Sequence, residues 1–212
     1  MTGDESQKKL QDIVRGAFLE GEGDHCTTVR NLLCQSFGSD TTVKSEFESK
    51  AILKEKQAGF LKAYADKTGH WLPSLPSGSQ YLTRGGEAEV YLAKDRRHVI
   101  KVNDGIYYAT WLEYFNSLVI HNLLFPNTAY SLLGFTENNN KNLCVVLEQS
   151  FVEGEQAELN AIKQLLVFNG FVNVKHQDYY NEALGLLLED MHDENVIAKD
   201  DVRSSPPNDK KR

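Results

Sequence analysis

Asp190, His192 and Asn195 stand in the spacing D-x-H-x-x-N. Six positions thus hold a carboxylate that can accept a proton, an imidazole and an amide oxygen. That set suits the orientation of an attacking hydroxyl and the ligation of a hard cation around a transferred phosphoryl group. Its flanks are apolar: Leu186, Leu187 and Leu188 lead in, and Val196 and Ile197 lead out. The other reading of the same residues is a polar connecting loop in which Asp190 serves as a cap.

Phosphoryl transfer from a nucleotide also needs backbone amides over the phosphates and a cation on them. Gly85 and Gly86 can supply the amides, because glycine lets N–H groups approach phosphate with no Cβ in the way. The pair is equally an ordinary turn before a strand. Lys101, between Ile100 and Val102, can supply the cation. It can also be the solvent-facing member of an alternating strand. A lysine turned inward needs a carboxylate to remain charged. Glu113 is the acid that the following helix offers before its apolar face closes.

Stepping outward from these residues, the pattern from Gln80 onward is β. Tyr81 and Leu82 open the first strand, and residues 84–93 and 98–102 read as a hairpin around the charged turn at residues 94–97. Residues 111–124 read as a helix, with Trp111, Leu112, Phe115, Leu118 and Val119 on one broad face. Residues 130–135 and 143–148, separated by a polar turn, read as a second hairpin. The order β-β-β-α-β-β predicts a five-stranded antiparallel sheet with one helix, in the α+β class. A further helix is expected over residues 158–168, stopped by Asn169 and Gly170.

Ahead of the sheet, residues 1–70 read as a helical N-terminal extension. Leu10, Ile13, Val14, Ala17 and Phe18 have helical spacing over residues 7–19, and a stop is expected near Gly21 and Gly23. A second helix carries Val29, Leu32, Leu33 and Phe37, capped by Thr27 or Thr28 and ended by Gly38. A third is expected over residues 45–65, with a cap in the Asp40 to Glu46 segment. So small a helical set buries little core by itself, so it either packs on the neighbouring surface or serves as a partner-binding arm. Residues 68–78, with two prolines and two glycines, form an extended linker that Trp71 and Leu72 anchor. Four segments follow: the extension over 1–70, a sheet lobe over 71–150, a partial helical lobe with the acidic loop over 151–200, and a disordered tail over 201–212.

Charge and composition narrow the class. The 212 residues are 41% hydrophobic and 25% charged, as in ordinary globular proteins, and the net charge of −7 disfavours nucleic acid and anionic membrane as partners. No apolar run approaches the ~20 residues of a membrane span. The first residues are acidic and polar, which predicts no secretory leader and a cytoplasmic location. Cys26, Cys34 and Cys144 are odd in number and lack C-x-x-C spacing, so free thiols in a reducing compartment are expected.

On these residues the chain resembles the protein-kinase-like phosphotransferases. It looks most like the kinase-like domain of bacterial and phage polyvalent proteins. That branch, like aminoglycoside and choline kinases, carries D-x-H-x-x-N where eukaryotic protein kinases carry H-R-D-x-x-x-x-N. The resemblance covers roughly residues 72–197. It rests on Gly85 to Tyr91, on Val99, Ile100, Lys101 and Val102 (similar to the V-A-I-K strand), on the helix over 111–125, on Val145 to Gln149, and on the D-x-H-x-x-N loop. It implies a kinase-like N-lobe, a partial C-lobe, and ATP and Mg²⁺ as cofactors. Gly85 and Gly86 would cover the phosphates, Lys101 would contact the α- and β-phosphates, and Glu113 would pair with Lys101. The backbone from Glu148 through Gln149 to Phe151 would bind adenine at an inter-lobe hinge. Asp190 would act as base or orienter with His192 in the same catalytic loop, and Asn195 would bind the metal. The acceptor would be a hydroxyl of a protein or a small molecule.

The chain departs from the pattern in two places. Against the glycine loop G-x-G-x-x-G-x-V only Gly85 falls on a glycine position, with Thr83 and Ala88 at the others. Such folds also place a second metal-binding Asp on the next hairpin. Here Asp200 and Asp201 are the acids that follow Asn195 before the prolines, with no apolar strand ahead of them. This predicts a truncated phosphotransferase, weakened or inactive. The rival expectation is a non-catalytic pseudokinase or structural interaction module.

Overall fold

The structure, a computed structural model, describes residues 3–20, 24–38 and 50–198. They divide into two compact units, Met1–Phe151 and Val152–Arg212.

The first unit is built on a five-stranded antiparallel sheet. Strands β1 (Gln80–Arg84), β2 (Ala88–Leu92), β3 (His98–Asn103), β4 (Ser131–Glu137) and β5 (Leu143–Ser150) lie in the order β1-β2-β3-β5-β4. Strand β5 is apolar throughout its first half, because both of its faces are covered. Val145 and Leu147 turn to one face, with Leu132 and Phe135 of β4. There they meet Trp111, Tyr114, Phe115, Leu118 and Val119 of the helix inserted between β3 and β4. Val146 turns to the other face and packs with Ile100.

Before the sheet come α1 (Gly3–Val14), α2 (His25–Phe37) and α3 (Lys50–Thr68), and the inserted helix is α4 (Trp111–Leu124). Ile13, Cys26, Val29, Leu33, Leu61 and Ala65 enter the same core as α4 and the sheet. The helices expected as an extension therefore share one core with the strands, which gives their apolar stripes the burial they could not find among themselves. Two details differ from expectation. Helix α1 ends at Val14, and Gly16 (φ 69°) turns the chain out of the helix. Ala17, Phe18 and Leu19 follow as an extended segment, with the N–H and C=O of Leu19 paired to the Asn31 side chain at 3.1 and 3.0 Å. Helix α2 is capped by Asp24, not by a threonine: its Oδ1 accepts the N–H of Thr27 at 2.8 Å and its Oδ2 accepts the Thr27 hydroxyl at 2.6 Å. The carboxylate sits one turn before the threonines and reaches the free N–H groups first. The expected start and cap of the third helix (residues 40–49) and the expected tail (201–212) lie outside the described residues.

Arg30 is fully buried in this unit, with no carboxylate on it among the described residues. Its guanidinium donates to the carbonyls of Ile13 (2.8 Å) and Ala17 and to the side chains of Asn31 and Asn116. One side chain thus ties α1, α2 and α4 together. Residues 70–72 of the linker pair alongside β4: Phe135 N–H donates to His70 O at 2.9 Å and Leu72 N–H to Phe135 O at 2.7 Å.

Among its described residues the second unit has one α-helix, α5 (Leu159–Phe168), and short strands β6 (Glu155–Gln156), β7 (Val172–Lys175), β8 (Asp178–Asn181), β9 (Leu186–Leu188) and β10 (Ile197–Ala198). Strands β7, β8 and β9 form an antiparallel sheet, and β10 pairs with β6. Strand β10, which follows the acidic loop, has β6 as the edge that satisfies its backbone groups. That pairing is close: a Cβ at Gly154 would meet Ala198 O at 2.5 Å.

Candidate functional site

The acidic loop leaves β9 and re-enters at β10. Asp190 adopts the left-handed conformation (φ 59°), which a short polar side chain tolerates better than most. Its N–H donates to Asp178 Oδ1 at 3.0 Å, and Met191 N–H donates to Gln177 O at 2.9 Å, so the β7–β8 hairpin holds the start of the loop. A 3₁₀ turn at Asp193–Asn195 folds the rest back. The turn brings the three spaced residues together. Asn195 Nδ2 donates to Asp190 O at 2.8 Å and to Asp190 Oδ2 at 3.1 Å, and it lies 3.2 Å from His192 Nε2. His192 Nε2 is also 3.2 Å from Asp190 Oδ1. The Asp190 side chain stays 73% exposed and that of His192 27% exposed, so the carboxylate faces solvent while the imidazole backs it.

This geometry has a chemical consequence. With its amide nitrogen on Asp190, Asn195 is left with its oxygen for a ligand, and the Asp190 carboxylate is open to solvent. Two hard oxygen donors fit an ion such as Mg²⁺, which keeps several waters and takes its remaining ligands from substrate phosphates. Among the described residues no group of three His, Cys, Asp or Glu side chains is placed to hold a metal. Asp200 and Asp201 lie outside those residues.

In the first unit Lys101 lies on β3 opposite Val90 and Leu147, on the α4 face of the sheet. The expected pair with Glu113 is not formed. Lys101 Nζ donates to the Tyr130 hydroxyl at 3.2 Å and lies 5.1 Å from the centre of that ring. Glu113 is engaged at the start of α4, where its Oε2 accepts the N–H of Ala109 at 3.0 Å and its Oε1 is 3.6 Å from Lys50 Nζ. Thr110, the N-cap, accepts the N–H of Glu113 at 3.1 Å. Thr110 and Glu113 therefore form a capping pair, and the T-x-x-E signature ahead of an apolar run was present in the sequence to say so.

Gly85 and Gly86 form the turn between β1 and β2, closed by Gly85 N–H to Ala88 O at 2.9 Å. A Cβ at Gly86 would meet nothing within 4 Å, and one at Gly85 would make only an ordinary contact with Ala88 O. Packing inside the chain does not require glycine at either position.

Strand β5 ends where the first unit does. The N–H of Phe151 donates to Arg97 O at 2.8 Å, and the Gln149 side chain donates to Thr128 O at 2.7 Å. The register pairs Glu148 with Ile100 on one side and Ser131 on the other. In an antiparallel ladder successive residues direct their backbone groups to opposite sides. Phe151 and Gln149 thus turn theirs to β3, and Ser150 turns its own to the side where β4 has not yet begun. Ser150 is the position that sequence reasoning did not single out; only the register marks it.

Electrostatics around the three thiols is uniform. Burial pushes Cys26 up to about 12 and Cys144 up to about 11, and it raises Cys34 as well. All three are free and buried. No helix among the described residues is long and apolar enough to cross a membrane.

Comparison with known proteins gives one match. Residues 54–203 match the family described as serine/threonine/tyrosine kinase found in polyvalent proteins. No curated protein and no solved structure matches the chain.

Proposed function

The chain belongs to the serine/threonine/tyrosine kinases found in polyvalent proteins, and from that premise we propose that it is a kinase-like domain that binds ATP and transfers its γ-phosphoryl group to a hydroxyl. The observation that carries this reading is the acidic loop, in which Asn195 is hydrogen-bonded to Asp190 and His192 stands beside both.

Each unit supplies its own share of the chemistry. In the first, the amides of Gly85 and Gly86 cover the phosphates. Glycines that the fold does not need for its own packing are consistent with a ligand that approaches the backbone closely. Lys101 meets the α- and β-phosphates as a point charge. Adenine takes its hydrogen bonds from the Glu148 to Phe151 stretch, at Ser150 foremost, since Phe151 has spent its N–H on Arg97. In the second unit, Asp190 orients the acceptor hydroxyl and takes its proton, with His192 fixing the carboxylate. The Asn195 amide oxygen is where Mg²⁺ would be held; the ion neutralises charge on the phosphates when bound. The acceptor class is a protein or small-molecule hydroxyl, in keeping with a net charge of −7 that does not favour nucleic acid.

A second reading, a pseudokinase that binds nucleotide without transfer, is favoured by one observation: no carboxylate among the described residues pairs with Lys101. Two measurements separate the readings. Asp190→Ala is expected to lower γ-phosphate transfer by about 10²–10⁴-fold; equal turnover by the variant would remove Asp190 from the mechanism. In thermal unfolding, a rise in Tm with ATP and Mg²⁺ but not with ATP and EDTA supports the transferase. An equal rise in both supports binding alone, and no rise in either rejects the nucleotide site.

A further inference from the structure

Lys101 is held without an acid, and the way it is held connects it to α4. Tyr130, just before β4, presents both its hydroxyl, 3.2 Å from Lys101 Nζ, and its ring, 5.1 Å away. The tyrosine is itself clamped by the last turn of α4. Asn122 Oδ1 accepts the N–H of Tyr130 at 2.7 Å, and Asn122 Nδ2 donates to the Tyr130 carbonyl at 2.8 Å. The neighbouring His121 lays its ring 4.6 Å from the Tyr130 ring and anchors it through Nε2–H to Thr128 O at 3.0 Å. The carbonyl of Tyr130 also receives the Cys26 thiol at 3.8 Å, from α2.

We propose that Tyr130 is the positioning residue for Lys101, the neutral link through which α4 aims the ammonium at a nucleotide phosphate. The inference rests on the nucleotide-site reading above and adds to it the group that sets the lysine. A phenol oxygen and an aromatic face stabilise an ammonium by hydrogen bonding and by the ring quadrupole, and neither cancels its charge. A carboxylate in the same place would compete with phosphate for the lysine. Tyr130 holds the lysine without cancelling its charge, and the two hydrogen bonds to Asn122 fix the tyrosine in place. Glu113 has no part in this arrangement, because it is committed to the helix cap.

The test compares dissociation constants for ATP and for adenosine, measured calorimetrically on the full chain. Adenosine reports adenine binding and overall integrity, and ATP adds the phosphates. Tyr130→Phe keeps the ring and loses the hydroxyl; it is expected to weaken ATP about tenfold with adenosine unchanged. Tyr130→Leu loses both and is expected to match Lys101→Met for ATP, again with adenosine binding kept. Glu113→Gln keeps the cap, since glutamine serves in a capping box, and is expected to bind both ligands as the unaltered chain does. Wild-type ATP affinity in Tyr130→Leu, equal losses for ATP and adenosine, or a loss in Glu113→Gln as large as in Lys101→Met would each overturn the role of Tyr130. A different outcome, in which the unaltered chain fails to bind ATP or Lys101→Met binds it normally, rejects the nucleotide site itself and the role of Tyr130 with it.

Discussion

His121 sits where a change of protonation is felt by its neighbours. Burial first, and then the charge of Lys101, hold its imidazolium below the ordinary histidine value of 6.5, against the hydrogen bond to Thr128. Between that depressed value and 6.5 the unfolded chain binds more protons at this position than the folded chain does. The stability linked to His121 is therefore present above pH 6.5 and lost as pH falls through the window. His98 works in the opposite sense. Its partner Asp95 raises it, so its contribution is present below 6.5 and lost as pH rises through the folded value. The two are separated by substitution: in urea unfolding at pH 7.5 and 5.5, His121→Gln is expected to lose less stability on acidification than the unaltered chain. The same drop in both would mean that His121 does not titrate as its burial implies. The left-handed backbone of Asp190 and its bond to Asn195 set the direction of its carboxylate.

At the scale of the element, α4 shows how much of a helix is decided elsewhere. Its apolar face was legible from Trp111, Phe115, Leu118 and Val119, whose spacing is local. Of its four leading N–H groups, only the two that Thr110 takes were. Gln57, fully buried on α3, accepts two of them through one oxygen: Trp111 N–H at 2.8 Å and Leu112 N–H at 3.2 Å. Thr110 takes the other two, Glu113 through its hydroxyl and Tyr114 through its carbonyl at 3.2 Å. The helix end is thereby satisfied by the chain's own groups. Gln57→Leu fills the same space with no acceptor and leaves two donors unpaired. It is expected to destabilise the fold by about 1–3 kcal/mol, read as a fall in the urea midpoint at constant m-value. A neutral result would show that these N–H groups find other acceptors.

At the scale of the whole molecule, the first unit is closed by a segment that looked like a mere linker. Residues 70–72 run beside β4, and Trp71 and Leu72 pack into the two apolar clusters on the faces of the sheet. The close approach depends on Gly134, where a Cβ would collide with the His70 carbonyl. Gly134→Ala is expected to push the segment off β4, at a cost of about 1–3 kcal/mol, with faster hydrogen exchange at the amides of Leu72 and Phe135. Unchanged protection there would mean that the segment moves with the strand. The helices α1, α2 and α3 belong to the same assembly: Arg30 ties α1 and α2 to α4, and Leu61 and Ala65 of α3 enter the shared core.

What the sequence determined by itself is what depends on near neighbours. Period-2 and period-3.6 patterns placed β2, β3, β5, α4 and α5 to within a few residues. The D-x-H-x-x-N residues come together within six positions, with the 3₁₀ turn at Asp193–Asn195 folding Asn195 back and the β7–β8 hairpin holding Asp190. Two further local signals are in the sequence: Asp24 as the cap of α2, where Thr27 or Thr28 was expected, and the Thr110–Glu113 pair, where Glu113 was expected on Lys101. What only the tertiary structure decided are the partners brought across long stretches of chain: Tyr130 for Lys101, Gln57 for the start of α4, β6 for β10. A buried donor takes whichever acceptor the packed core presents, and packing is set by the volume and shape of all the elements together, which no window of the sequence contains.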